Sequence, residues 1–217
     1  MSFLNLEQLD KGLSLLDLNL SAQQKNQLDD FSSFLFRWNK TYNLTALVDQ
    51  NDILTHHILD SLAVSRVFRE YLKADSKILD VGSGGGLPAI PLAILFPDNH
   101  FYLVDTVGKK CAFLKQSALM LGLKNIDVYH SRVENLSNKK FDLITSRAFS
   151  SLKIFIDLSK NLISPNGYWL ALKGQYPKKE IDELDLEYKI QVHEISVPFL
   201  QENRHLVAIN ANKLITM

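Results

Sequence analysis

The residues best placed to do chemistry lie between 79 and 91, in LDVGSGGGLPAIP, where four glycines fall within five positions and two prolines within the next five. Glycine frees φ and removes the side chain, so the run builds a tight turn that another molecule can approach closely. An ordinary turn needs one or two glycines, not four. Asp80 precedes Gly82, Gly84 and Gly86 at alternate positions, between an apolar segment and a helical one. Pro88 and Pro91 fit together only around a first helical turn, where N–H groups lack intrahelical partners, which predicts a helix starting near Leu87 or Pro88. A second acid, Asp105, ends the apolar run FYLVD nineteen residues beyond Gly86. At about that spacing a carboxylate accepts hydrogen bonds from two ribose hydroxyls; the bland alternative is an N-cap for a helix over 107–121. The pyrophosphate-cradling pattern G-x-G-x-x-G would need glycine at 82, 84 and 87, and position 87 is leucine. That dinucleotide fingerprint fails.

Such groups need a sheet edge to hold them. From residue 77 the chain alternates short apolar runs with helical segments: KILDVG, HFYLVD, IDVYH, FDLITSRAF, GYWLALKG, YKIQVHEISV and RHLVAINAN are seven strand candidates. Helices are predicted over 88–96, 107–121 and 151–162, as crossovers of a parallel α/β sheet. The last two strands are longer, β-rich and joined by a short segment with Pro198, which predicts an antiparallel pair at one edge. Before residue 75 no strand pattern occurs; Leu4, Leu6, Leu9, Leu13 and Leu16, then Leu28, Phe31, Phe34, Leu35 and Trp38, recur at helical spacing. The expected organisation is a helical extension over 1–74, packed as a cap on one side of the pocket, and an α/β domain over 75–217. The segment EYLKADS (70–76) between them is too short to separate independent bodies.

Composition narrows the class. Hydrophobic residues make up 46% of the 217, enough for a full core, and 24 basic residues balance 24 acidic ones, so no global basic field marks a nucleic-acid partner while a local patch remains open. A lone cysteine, Cys111, excludes an internal disulfide and Cys-based zinc sites. With no secretory pattern and no apolar stretch near 18 residues, a cytoplasmic chain without membrane or metal is expected.

The run Asp80-x-Gly82-x-Gly84-x-Gly86 resembles the first motif of class I S-adenosylmethionine-dependent methyltransferases. Their Rossmann-like fold is a seven-stranded, mostly parallel sheet with helices on both faces. A pyrophosphate wants bare N–H groups and no anion nearby, whereas the amino group and sulfonium of this cofactor tolerate Asp80. Glu134 and the backbone of Val133 sit where this class reads the adenine ring, although a solvated helix start explains a lone Glu equally well. Arg147, directly after a strand, either pairs with a carboxylate inside the fold or reaches substrate or cofactor.

Six blocks in order then resemble one family: RWNKTYNLTA (37–46), HHILDSL (56–62), ILDVGSGGGLPAIPLAI (78–94), DLITSRAFSSL (142–152), LALKG (170–174) and RHLVAI (204–209). They are similar to the bacterial RsmG (GidB) family of 16S ribosomal RNA guanine-N7 methyltransferases. The resemblance implies methylation of a guanine N7 in the 530 loop, with S-adenosyl-L-methionine as cofactor held by Asp80, Gly82, Gly84, Gly86, Leu87, Asp105, Val133, Glu134 and Arg147. The implied partner is 16S rRNA or the small ribosomal subunit, met by a monomer. Guanine N7 carries an in-plane lone pair, so no general base is required and positioning dominates. Arg147, Lys173, Asn43 and His57 are the candidates for holding the base, alongside Asn39, Thr45, Asp60 and Ser61, whose bland reading is a network joining helices to sheet. Trp38 and Tyr42 read as core more than as a stacking platform. Arg37, Lys40, Lys109, Lys110, Lys153 and Lys173 could meet phosphates, and nothing in the sequence puts them on one face.

Overall fold

The structure, a computed structural model, describes residues 2–46, 49–147, 149, 151–184 and 188–213. One sheet runs in the order β3-β2-β1-β4-β5-β7-β6, built from β1 (Lys77–Val81), β2 (His100–Asp105), β3 (Ile126–His130), β4 (Phe141–Ser146), β5 (Ile163–Lys173), β6 (Tyr188–Ile195) and β7 (Arg204–Lys213). The pairs among β1 to β5 are parallel. β7 lies antiparallel between β5 and β6, the edge pair that the sequence predicts. Because β2 and β4 flank β1 on opposite sides, the chain reverses direction across the sheet at β1, and the loop after β1 opens at the crevice where such sheets bind ligands.

The N-terminal helices are α1 (Leu6–Leu15), α2 (Ala22–Tyr42), α3 (Gln50–Asp52), a π-type turn over Ile53–Leu59, α4 (Asp60–Ala63) and α5 (Ser65–Tyr71). The sheet carries α6 (Ala89–Leu95), α7 (Gly108–Met120), α8 (Leu152–Ser159) and α9 (Lys178–Asp182). A capping box of Ser21 and Gln24 starts α2, which buries Leu28, Phe31 and Leu35. Its polar side is used too: Gln24 donates to Ile94 O at 2.8 Å and Gln27 to Leu121 O at 2.8 Å, capping the C-terminal ends of α6 and α7. Leucines of α1 and α2 share one buried cluster with α6, α7 and the near face of the sheet, so no apolar surface separates extension from sheet. The far face packs Leu79, Val104 and Ile144 under Phe155 and Ile156 of α8.

Boundaries differ most from expectation at β5 and α8, while β4 ends at Ser146 and β6 at Ile195, short of the runs FDLITSRAF and YKIQVHEISV. β5 begins at Ile163, not Gly167, because Phe141 pairs with Ile163 before a register irregularity that absorbs the turn-like Pro165-Asn166-Gly167. α8 therefore ends at Ser159, short of 162, with Leu162 N–H already bonded to Ser159 O.

Candidate functional site

The glycine loop is held from below by β2: the amides of Gly82 and Ser83 donate to Val104 O at 2.9 and 3.2 Å. Gly84 and Gly86 both have positive φ, +54° and +77°, where any L side chain is strained. They differ in surroundings. A Cβ on Gly86 would lie 2.5 Å from Ile90 Cδ1 and 3.0 Å from Leu114 Cδ2, whereas one on Gly84 would have only Gly82 O, at 3.7 Å. Gly86 is shaped by the core behind it, and Gly84 faces open space. Pro88 precedes α6 as its cap residue and Pro91 sits in its first turn, as the spacing of the prolines requires.

Asp105 fastens this loop. Its Oδ2 accepts from Gly84 N at 2.9 Å and its Oδ1 from Val107 N at 2.9 Å, so the carboxylate orients both the glycine loop and the entry to α7. It does not cap α7, whose cap residue is Val107. Asp80 is more unusual. It is 1% exposed, and among the described residues its Oδ2 has no hydrogen-bond partner. Burial pushes its carboxyl up to about 7, with Ser83 and the Arg147 charge opposing in part. A buried, unpartnered carboxylate two residues before Gly82 disfavours a phosphate and suits a cationic group.

A cavity of about 360 Å³ opens beside the loop, within the size range of small-molecule sites. Gly82, Asp105, Val133 and Glu134 line it together, with Lys110 and Phe149. Val133 is buried and Glu134 exposed in a single 3₁₀ turn, Val133–Asn135, after β3. Beyond Phe149 lies a second cavity of about 690 Å³, lined by Arg147, Lys173, Lys178, Lys179 and Glu180 as well as Phe149.

Next to these cavities is an ion cluster. Asp60 Oδ1 accepts from Arg204 Nε at 3.0 Å, while Arg147 Nη1 stands 3.4 Å from Asp60 Oδ2 with a third of its side chain exposed. His57 lies in the π-type turn, 4% exposed. Its Nδ1 is 3.0 Å from His56 O, which can only accept, so Nδ1 carries the proton and Nε2 accepts from the Thr45 hydroxyl at 2.7 Å. Burial, reinforced by the Arg147 charge, lowers its pKa to about 4 and keeps the ring neutral at pH 7.

Against this geometry, residues 24–207 match the family described as GidB, rRNA small subunit methyltransferase G. The chain belongs to that family. The ribosomal RNA small subunit methyltransferase G of Laribacter hongkongensis is 46% identical over 205 residues, spanning 94% of this chain and 97% of that protein. Its counterpart in Aromatoleum aromaticum is 43% identical over 210 residues, with 94% and 98% covered. Among solved structures, the tRNA (m1A58) methyltransferase TrmI of Aquifex aeolicus superposes with a TM-score of 0.57 at 13% identity, covering 73% of this chain and 69% of that one. A SAM-dependent methyltransferase from Aquifex aeolicus gives 0.55 at 18% identity, covering 78% and 97%. Likeness at that identity speaks for the fold, the class I methyltransferase sheet.

Within this GidB family member, several residues named from sequence take other positions. Lys173 lines the second cavity with Arg147, its ammonium bonded to Glu180 at 2.7 Å and Phe149 O at 3.0 Å, and Glu180 also accepts from Leu152 N at 2.8 Å. Asn43 is an exposed left-handed cap that ends α2, φ 49°. Asn39, Thr45 and His57 form the helix-joining network, with Thr45 N–H on Asn39 Oδ1 at 2.8 Å. Leu87, like Asp80, Gly84 and Gly86, does not line the 360 Å³ cavity, and Arg147 lines the second cavity instead. The extension touches the loop at Gly85, where a Cβ would be 3.3 Å from Leu35 Cδ1, yet it lines none of that cavity, whose described walls come from 81–158. The expected cap thus presses on the back of the loop. Arg204, in the block RHLVAI, was not singled out from sequence, because its partner Asp60 is 144 residues away. Cys111 is buried on α7 with its thiol on Asp105 O, and burial raises its pKa. Among the described residues no helix is long and apolar enough to cross a membrane.

Proposed function

We propose that this protein methylates N7 of a guanine in the 530 loop of 16S rRNA, using S-adenosyl-L-methionine, on the rRNA or the small ribosomal subunit. The match of residues 24–207 to a family named for small-subunit rRNA methylation carries the reading. The site fits the cofactor in its own chemistry: Asp80 holds a buried carboxylate with one unpartnered oxygen behind Gly82, suited to a cationic methionine end, and Gly84 leaves the approach open. Asp105 keeps lone pairs for ribose hydroxyls beyond its two amide bonds, and Val133 with Glu134 borders the place for a purine. When bound, S-adenosylmethionine supplies an electrophilic methyl group.

The chain's own groups serve to position the acceptor. Among the described residues the strongly depressed base beside the site, His57, is buried and already accepts from Thr45, so it has no free lone pair for a substrate proton. Guanine N7 needs none removed, which agrees with a site built from orienting groups. Arg147 is the group free to turn toward the acceptor: Arg204 holds Asp60 more closely, leaving Arg147 on a long contact at the edge of the second cavity. The arrangement favours an acceptor on the Arg147 side of Phe149 and the cofactor on the Gly82 side. Calorimetry tests the donor. S-adenosylhomocysteine should bind and NADH should not; the reverse result would restore a nicotinamide enzyme.

A further inference from the structure

Overall charge is balanced, but its distribution is not. Residues 31–48 contain no Asp or Glu while holding Arg37 and Lys40, and residues 106–126 contain none while holding Lys109, Lys110, Lys115 and Lys124. The fold brings these two acid-free stretches together. Phe34 and Trp38 of α2 pack on Phe113 of α7 at 5.4 and 5.5 Å, and the Lys109 ammonium lies 5.4 Å from the ring centre of Tyr42. Tyr42 is 38% exposed and is supported from within by Trp38 at 4.9 Å. Arg37 is exposed and stands over Phe34, 5.8 Å from its centre. This face adjoins the site on two counts: Leu35 of α2 presses on Gly85, and Lys110 lines the cavity beside the glycine loop.

We propose that the α2–α7 face is a docking surface for the unpaired RNA strand that flanks the reacting guanine. The inference rests on the proposed function and names where its substrate lies. Arg37, Lys109 and Lys110 meet successive phosphates, and one unpaired base stacks on Tyr42 in place of the Lys109 ammonium. A cationic track beside an exposed, rigidly backed aromatic ring is what single-stranded nucleic acid requires, since phosphates need charge and any base offers a π face. A folded acidic protein would satisfy the charges but has no use for Tyr42. The two carriers are therefore separable.

The test uses the full chain with a short fluorescein-labelled single-stranded RNA oligonucleotide and, separately, 16S rRNA. Tyr42→Ala should weaken oligonucleotide binding about 5- to 100-fold while Tyr42→Phe stays within about twofold of the parent. Arg37→Gln with Lys109→Gln should lower the slope of log affinity against log salt by about 1.4, two contacts at about 0.7 each. Affinity for S-adenosylhomocysteine and melting temperature should not move in any of them. Unchanged oligonucleotide affinity in Tyr42→Ala, or equal binding of duplex and single strand, overturns the proposal. The two failures are distinguishable: a parent protein that leaves 16S rRNA unmethylated sinks the proposed function, while oligonucleotide binding decides this face.

Discussion

Two glycines two residues apart should respond in opposite ways to the same added methyl. At Gly86, φ +77° costs an alanine about 1–2 kcal/mol, and forcing a Cβ to 2.5–3.0 Å from buried Ile90 and Leu114 adds about 1–3 kcal/mol of overpacking. For a chain of this length that total lowers the melting temperature by about 4–20 °C. At Gly84 the backbone cost is similar, about 1–2 kcal/mol, but nothing is crowded, so Gly84→Ala should lose only about 2–8 °C. The methyl group of Gly84→Ala instead stands in the open space of the loop, beside the amide that Asp105 holds. Cofactor affinity should fall at least about tenfold, about 1.4 kcal/mol, in the still-folded variant. Gly86→Ala should keep near-normal affinity in its folded fraction. Differential scanning calorimetry with S-adenosylhomocysteine titration at a temperature below both transitions reads the two effects apart. Parent-like affinity in folded Gly84→Ala would refute the reasoning and reduce the loop to a turn.

The ion cluster predicts a second separation. Arg147→Ala should cost no more than about 1 kcal/mol of stability, as for a partly exposed pair, while lowering single-turnover methylation at least about tenfold; Asp60→Ala removes the carboxylate both guanidiniums share, with Arg204 keeping Glu202, and should cost about 1.5–3 kcal/mol. His57 binds a proton more readily unfolded, at 6.5, than folded, at about 4, so its contribution is present above pH 6.5 and drains away as pH falls toward 4. Urea unfolding should show about 2 kcal/mol less acid loss between pH 7 and 5 in His57→Gln than in the parent, and equal losses would contradict the burial assigned to the ring. Asp80, raised to about 7, must ionise to meet a cation, so S-adenosylhomocysteine affinity should fall by up to about tenfold per pH unit below 7, a slope that Asp80→Asn should remove.

What could be read from the sequence was whatever depends on neighbours along the chain. The first two strand cores end where their apolar runs end, at Val81 and Asp105, and the prolines placed the start of α6 to within two residues. The two acids, the glycines and the 3₁₀ turn at Val133 follow from position at strand ends, which the alternation of elements already determines. Contacts across the sheet were illegible. Arg204 meets Asp60 only because β7 inserts between β5 and β6, and Lys173 is taken by Glu180 because α9 folds back over the end of β5. The cationic α2–α7 face had its residues in plain view, with no signal that Tyr42 and Lys109, 67 positions apart, would touch.

The central claim is the transfer itself, to one atom of one kind of base. The protein is incubated with methyl-labelled S-adenosylmethionine and with 16S rRNA or small subunits from a strain lacking this enzyme, and the product is cleaved chemically at N7-methylated guanine. A single new cleavage in the 530 loop is expected, dependent on cofactor and much reduced by Gly84→Ala. Label incorporated without that cleavage, or at a base outside that loop, would contradict it.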